Sequence, residues 1–261
     1  IRGDDMKNWW NRLVPWQKAA VAGTGALFAF LIIFALVSSS SGKTSPGRQR
    51  IREEAAKDPA ELTAQLARRR MDELKQAYSE GKIAYSALLP DYVMLGDSRA
   101  AALAEYQILG ADRDIAVIGT DCQDIPNQVE RVKAMQPANL IVSYGINDVE
   151  HNLGGSPEGF AEVYESYIKQ AAQAAPNARV FVTSILDVSP EVVKETPQYG
   201  QLAEYNEQIK AMCERNHWVF IDSSALNGEV QDNLESDGIH MTPDLCLKWA
   251  ETIVDAVGEA Q

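Results

Sequence analysis

Ser98, Asp237 and His240 are residue types that together could transfer an acyl group. Ser98 stands in Gly96-Asp97-Ser98, where the apolar run Tyr92–Leu95 stops and an Ala-rich helical stretch, Ala100–Tyr106, begins. A serine at such a junction exposes its hydroxyl near backbone N–H groups that favour developing negative charge. The same position suits an ordinary helix cap, and this stretch alone does not separate the two readings. His240, in Asp237-Gly238-Ile239-His240, is a group that can take a hydroxyl proton and later return it to a leaving alcohol. Asp237 lies three residues earlier. One local turn there can bring its carboxylate to the other imidazole nitrogen, fixing the tautomer and stabilising the imidazolium.

The elements that must position these groups follow from hydrophobic periodicity. From Asp91 onward, short apolar runs alternate with amphipathic stretches. Strands are predicted at Tyr92–Leu95, Ile115–Ile118, Leu140–Ser143, Arg179–Ser184 and Trp218–Ile221, and helices at Arg99–Gln107, Ile125–Met135, Pro157–Ala174, Gln201–Arg215 and Pro243–Val257. Continuously apolar strands between amphipathic helices predict a five-stranded parallel sheet buried on both faces, in a flavodoxin-like three-layer α/β/α sandwich. In such sheets ligand sites collect at the carboxyl ends of the strands. That rule selects residues 96–99, 119–124, 144–156, 185–200 and 222–240.

Four of these five segments hold distinctive residues: Gly96-Asp97-Ser98, Gly119-Thr120-Asp121, Gly145-Ile146-Asn147-Asp148 and Asp237-Gly238-Ile239-His240. In this order they resemble the SGNH/GDSL hydrolases, whose four blocks are named for a Ser, a Gly, an Asn and a His. The resemblance covers roughly residues 91–257. It implies a serine ester hydrolase with Ser98 as nucleophile, His240 as general base and Asp237 as its acid. It further implies an oxyanion hole made by the Ser98 N–H, the Gly119 N–H and the Asn147 side-chain amide. A glycine at 119 permits close backbone approach, and asparagine donates without carrying charge. The pattern differs from that of the α/β-hydrolases, which place serine in G-x-S-x-G and separate the acid from the histidine; here position 100 is Ala.

Other residues near these blocks have plainer readings. Asp97 and Asp148 are expected to organise their own turns by accepting backbone N–H bonds. Asp97, Asp121, Asp124 and Asp148 could be drawn as a metal cluster, but no His or Cys has ligand spacing with them, so no metal is expected. His217 reads as structural, and His151 as a residue that could line the cleft. Arg99 reads as a surface helix residue, and Cys122 as a thiol with no activating partner. The segments 149–157 and 185–200, with Leu153, Val188, Val192, Val193 and Tyr199, are expected to frame the pocket.

The charge is unevenly divided. Residues 1–57 hold nine Lys/Arg against four Asp/Glu, a net of +5, while the remainder carries −18 of the overall −13. An acidic globular part argues against nucleic acid as a partner. Ala19–Val37 contains no charged residue; as a helix it would span roughly 28 Å, close to the hydrocarbon thickness of a bilayer. Trp9, Trp10 and Trp16 precede it, as interfacial aromatics would. Five parts are expected: a tail (1–18), a transmembrane signal anchor (19–37), a flexible Ser-rich linker (38–50), a helical stalk (51–82) with Leu62, Leu66, Leu74 and Tyr78 on one face, and the catalytic domain (83–261). The anchor is read as uncleaved, because its apolar run is longer than that of a signal peptide. The expected localisation is the cell membrane, single-pass, with the domain outside the cytoplasm. Cys122, Cys213 and Cys246 are too few for a disulfide framework and read as buried thiols.

The resulting expectation is an anchored acylhydrolase that acts on an ester-bearing small molecule, lipid or glycan, with an O-acetyl group on an envelope glycan as one case. No cofactor is implied. Two alternatives share the sequence: an O-acyltransferase on the same scaffold, and a membrane-anchored binding module that does no chemistry.

Overall fold

In the computed structural model the chain divides into a unit of residues 1–59 and a compact unit of residues 60–261. The structure describes Val14 and residues 59–260. The expected tail, anchor and linker therefore lie outside the described residues. Among the described residues, no helix is long and apolar enough to cross a membrane.

The sheet has four parallel strands in the order β1-β2-β3-β4: Tyr92–Gly96, Asn139–Ser143, Arg179–Thr183 and Val219–Ile221. Its register pairs Val93 with Leu140 and Leu140 with Val180. The helices are α1 (Pro59–Ser79), α2 (Ser98–Glu105), α3 (Val129–Met135), α4 (Ile146–Glu150), α5 (Pro157–Ala174), α6 (Pro190–Glu195), α7 (Leu202–Asn216), α8 (Asn227–Val230) and α9 (Pro243–Glu259).

Alternation along the strands explains why each reads as a continuous apolar run. Val93, Leu95, Leu140, Val142, Val180 and Val182 face one layer, packing with Phe160, Tyr164 and Ile168 of α5 and Tyr205, Ile209 and Met212 of α7. Tyr92, Met94, Ile141, Phe181 and Ile221 face the other, packing with Ala100 and Leu103 of α2 and Trp249, Ile253 and Val257 of α9. A sheet covered on both faces cannot be amphipathic, so period-two patterning vanishes. Met71 and Leu74 of α1 join the second layer, and Lys75 pairs with Asp255 of α9 at 2.6 Å. Leu62 and Leu66, read from sequence on the same docking face, are exposed at 37% and 57%.

The expected five-stranded sheet is corrected to four. Residues 113–117 run parallel beside β1 and make three ladder bonds: Met94 N–H to Arg113 O, Ile115 N–H to Met94 O and Val117 N–H to Gly96 O. Only one isolated bridge, Met94 with Asp114, results. The physical reason is local. The Asp114 carboxylate accepts the Ala116 N–H at 3.1 Å, bending an edge segment that has no outer neighbour among the described residues to straighten it. Val117 and Ile118 are consequently exposed, and only Ile115 of the apolar run is buried.

This edge segment still sets the topology. The chain leaves β1 toward one side for residues 113–117 and returns to the other side for β2, so the crossover direction reverses at the carboxyl end of β1. Doubly wound sheets bind their ligands at such a reversal. Gly96 closes the strand there. A Cβ at this position would lie 2.4 Å from Ala100 Cβ and 2.6 Å from Ser143 O, so only glycine lets α2 pack down on β1 and β2.

Asp114 also gives the fold a pH dependence. Burial pushes its carboxyl up to about 7, against the lowering effect of the Ala116 N–H, and one oxygen, Oδ2, is buried without a partner. A raised native pKa means that the folded state binds more protons than the unfolded state. The associated stability is fully present below about pH 3.8 and is lost as pH rises through about 7. At about 1.4 kcal/mol per unit, the native state gives up on the order of 4 kcal/mol over that interval. Asp114→Asn is expected to flatten the fall in urea-unfolding free energy between pH 5 and pH 8. A slope as steep as that of the parent protein would contradict this assignment.

Candidate active site

The carboxyl edge of the sheet brings together segments separated by as many as 142 residues. Asp97 is the N-cap of α2, its carboxylate accepting the Arg99 N–H at 3.0 Å. This matches the expectation that Asp97 organises its own turn. The turn sets Ser98 as the first residue of α2, where helix N–H groups lack intrahelical acceptors.

His240 reaches Ser98 from the loop before α9. Its Nε2 lies 3.0 Å from Ser98 Oγ, and its Nδ1 lies 2.6 Å from Asp237 Oδ2. The other oxygen, Asp237 Oδ1, accepts the Ile239 and His240 N–H groups at 2.8 and 2.9 Å. Desolvation would raise the Asp237 pKa, but the imidazole hydrogen bond and the two backbone N–H groups outweigh it and bring it down to about 2. An ionised carboxylate only accepts, so it fixes the proton on Nδ1 and leaves the Nε2 lone pair for the serine hydroxyl.

The Gly119 block is held by α4, which enters one residue after Gly145. The Asn147 amide donates to Thr120 O at 2.6 Å. That uses one of its two N–H bonds, so the second is the one that could serve an oxyanion. Gly119 has φ +78°, and an added Cβ would meet nothing within 4 Å. Left-handed backbone of this kind favours glycine.

Asp148 departs from the sequence expectation. Its Oδ1 accepts the Cys122 N–H at 2.9 Å and so ties the third block to the second rather than organising its own turn. Asp148 is fully buried, and burial pushes its carboxyl up to about 6. His151, one turn after Asn147, places Nδ1 3.3 Å from Asp121 Oδ2. α4 and its C-cap residue His151 thus grip the Gly119–Cys122 loop through three side chains.

The largest correction concerns Arg99. Read from sequence as a surface residue, it is buried. Nη1 donates to Leu186 O at 2.6 Å and Nη2 to Asp187 O at 2.9 Å. Nε and Nη2 together fork onto Ile239 O at 3.0 and 2.8 Å. Val188 and Tyr199, expected to frame the pocket, are corrected to core positions. Both are buried in the first layer, and the Tyr199 hydroxyl donates to Ile146 O at 3.0 Å. Val192, Val193 and Leu153 pack partly buried against that layer. Asn206 was not legible from sequence. Its amide clasps both the N–H and the carbonyl of Ile185, at 2.7 and 2.9 Å, where the chain leaves β3.

The remaining residues are structural. His217 ends α7 in left-handed conformation, φ +56°. Cys122, Cys213 and Cys246 are buried free thiols, and desolvation raises Cys122 far above the ordinary thiol range. Asp121 and Asp124 form a reciprocal capping box at the 3-10 turn Cys122–Gln128. Among the described residues no group of three or more His, Cys, Asp or Glu is arranged to hold a metal ion.

Residues 84–244 match the model of the GDSL-like lipase/acylhydrolase family. The chain belongs to this family. Solved structures share the fold at low identity. A GDSL-like lipase from Parabacteroides merdae is 16% identical with a TM-score of 0.52, covering 65% of this chain and 96% of its own. LAE5, an alpha/beta hydrolase enzyme from the metagenome of Lake Arreo, Spain, is 17% identical with a TM-score of 0.50, covering 65% and 95%. No curated protein matches the chain. The family model covers all four blocks, with His240 four residues inside its end.

The α4 clasp generates a test that does not depend on activity. Asp148→Ala leaves the Cys122 N–H without its acceptor, at a cost of about 1–3 kcal/mol. Urea unfolding should show a loss of that order. Amide exchange should quicken at Cys122 more than at the β1–β2 pairs. Unchanged protection at Cys122 would contradict the assigned tie.

Proposed function

We propose that this protein is a serine ester hydrolase that removes a short acyl group, such as an O-acetyl on an envelope glycan, while anchored in a membrane by residues 19–37. The observation that carries the reading is the unbroken contact from Asp237 through His240 to Ser98, at 2.6 and 3.0 Å, in a chain of an acylhydrolase family.

Ser98 Oγ attacks the ester carbonyl carbon while its proton passes to His240 Nε2. The Oγ–C bond forms, the carbonyl π pair moves to oxygen, and Asp237 stabilises the imidazolium. The Ser98 N–H, the Gly119 N–H and the Asn147 amide receive the oxyanion. Collapse of the intermediate breaks the bond to the leaving alcohol, which takes the proton from Nε2. Water, deprotonated by His240, then attacks the acyl-enzyme, releasing the carboxylic acid and restoring Ser98. No cofactor enters the cycle.

Exposure supports a bulky substrate. The side chains of His240 and Asp237 are 45% and 47% exposed and Ser98 is buried at 8%, so the base stands at the surface and a polymer could present an acyl group to the serine from that side. The 19 uncharged residues of 19–37 would hold such a site near the envelope.

Ser98→Ala is expected to abolish both fluorophosphonate labelling and p-nitrophenyl acetate hydrolysis. Asn147→Ala should lower kcat by about 10²–10³-fold with little change in KM, the usual effect of losing an oxyanion donor. Across p-nitrophenyl esters, kcat/KM should fall as the acyl chain lengthens. Full activity in Ser98→Ala would refute the nucleophile. With an acetyl donor and a glycan acceptor, transfer exceeding hydrolysis would replace the hydrolase reading by an acyltransferase.

A further inference from the structure

The geometry points to Arg99 as a positioning residue that holds the His240 loop at hydrogen-bonding distance from Ser98; this rests on the ester hydrolase reading above. Arg99 directly follows Ser98 in the first turn of α2, so its backbone moves with the nucleophile. Its side chain crosses to the loop that carries the base. The fork of Nε and Nη2 closes on the Ile239 carbonyl, and Ile239 directly precedes His240. The remaining contacts, to Leu186 O and Asp187 O, fasten the chain leaving β3. Two residues further on, the Ser189 N–H donates to Gly238 O at 2.8 Å, so the exit of β3 also meets the His240 loop. The result is a closed ring, Ser98–Arg99–Ile239–His240–Ser98, in which the 3.0 Å serine–imidazole contact is the one bond that would have to remake itself in each turnover.

Nothing else described does this from the nucleophile's own helix. The loop's other backbone bonds are largely its own: Glu235 N–H to His240 O, Gly238 N–H to Glu235 O and Thr242 N–H to Asn233 O. They shape the loop without setting its distance from Ser98. A buried guanidinium suits the task. It presents five N–H donors in a rigid plane, and its charge, once buried, is strongly unfavourable without acceptors. The loop therefore cannot drift without breaking several charge-assisted hydrogen bonds together. Lysine at this position would offer a single flexible point charge and could not fork on one carbonyl while reaching two others.

The test uses the full chain, with kcat expressed per site labelled by a fluorophosphonate probe and folding followed by circular dichroism. Arg99→Ala should lower kcat for p-nitrophenyl acetate by about 10²-fold, the scale of a misplacement of about 1 Å between reacting groups, with KM changed less than about threefold. Guanidinium added at millimolar concentration should restore part of kcat in Arg99→Ala and none in Ser98→Ala. Arg99→Lys should remain impaired. If Arg99→Ala does not fold, Arg99→Lys is judged by the same kcat-against-KM criterion. A variant that loses folded protein but keeps the parent kcat per labelled site would overturn the inference and leave the hydrolase reading standing. A parent protein that neither labels nor hydrolyses would overturn both.

Discussion

A parallel strand can be continued only by a crossover that returns over a face of the sheet. In this chain that constraint decides where everything else lies. Because β1 to β4 run in one direction, all their carboxyl ends open on a single edge. Because the crossover direction reverses after β1, Gly96-Asp97-Ser98 stands where doubly wound sheets bind ligands. Segments far apart in the chain then have no other place to meet. The two apolar layers hold the arrangement. They bury Val93, Leu95 and Leu140 on one side and Met94, Ile141 and Phe181 on the other, all at or near zero exposure.

The edge pays for this with polar groups taken out of water. Burial pushes Asp97 and Asp148 both up to about 6, and each is compensated by a backbone N–H, from Arg99 and Cys122 respectively. Arg99 is compensated by three carbonyls. Asp237 is the contrast. Half exposed and accepting three hydrogen bonds, it is brought down to about 2. Carboxylates of one residue type are thus divided by environment. Those under the turns act as buried caps and ties, and the one at the rim stays ionised beside an imidazole. Both features serve the same geometry, since the caps immobilise the blocks that the rim residues must meet.

Local signals made much of this legible in the sequence. The predicted helix Pro157–Ala174 coincides with α5, and the four paired strands fall within a residue of prediction at every end, because apolar runs and caps are short-range features. The Asp237–His240 contact was legible for the same reason, since a spacing of three residues is closed by one turn. The strand expected at Ile115–Ile118 failed on a matter of neighbours. Its apolar composition is real, but it lies at an edge, and the Asp114 side chain takes a backbone N–H that a regular strand would leave in line.

The sequence by itself determined the residue types, their order and their placement at strand ends, and so the α/β class and the family blocks. Only the tertiary structure decided which polar side chains are buried and what they meet. Arg99 follows a helix start and has nothing local to mark it as interior; its acceptors lie 87, 88 and 140 residues away. Asp148 finds Cys122 26 residues back, and Tyr199 finds Ile146 across 53. Periodicity and capping act over a turn or two of chain. A partner set by which loops meet at a sheet edge is fixed by the crossovers alone, and no local pattern encodes it.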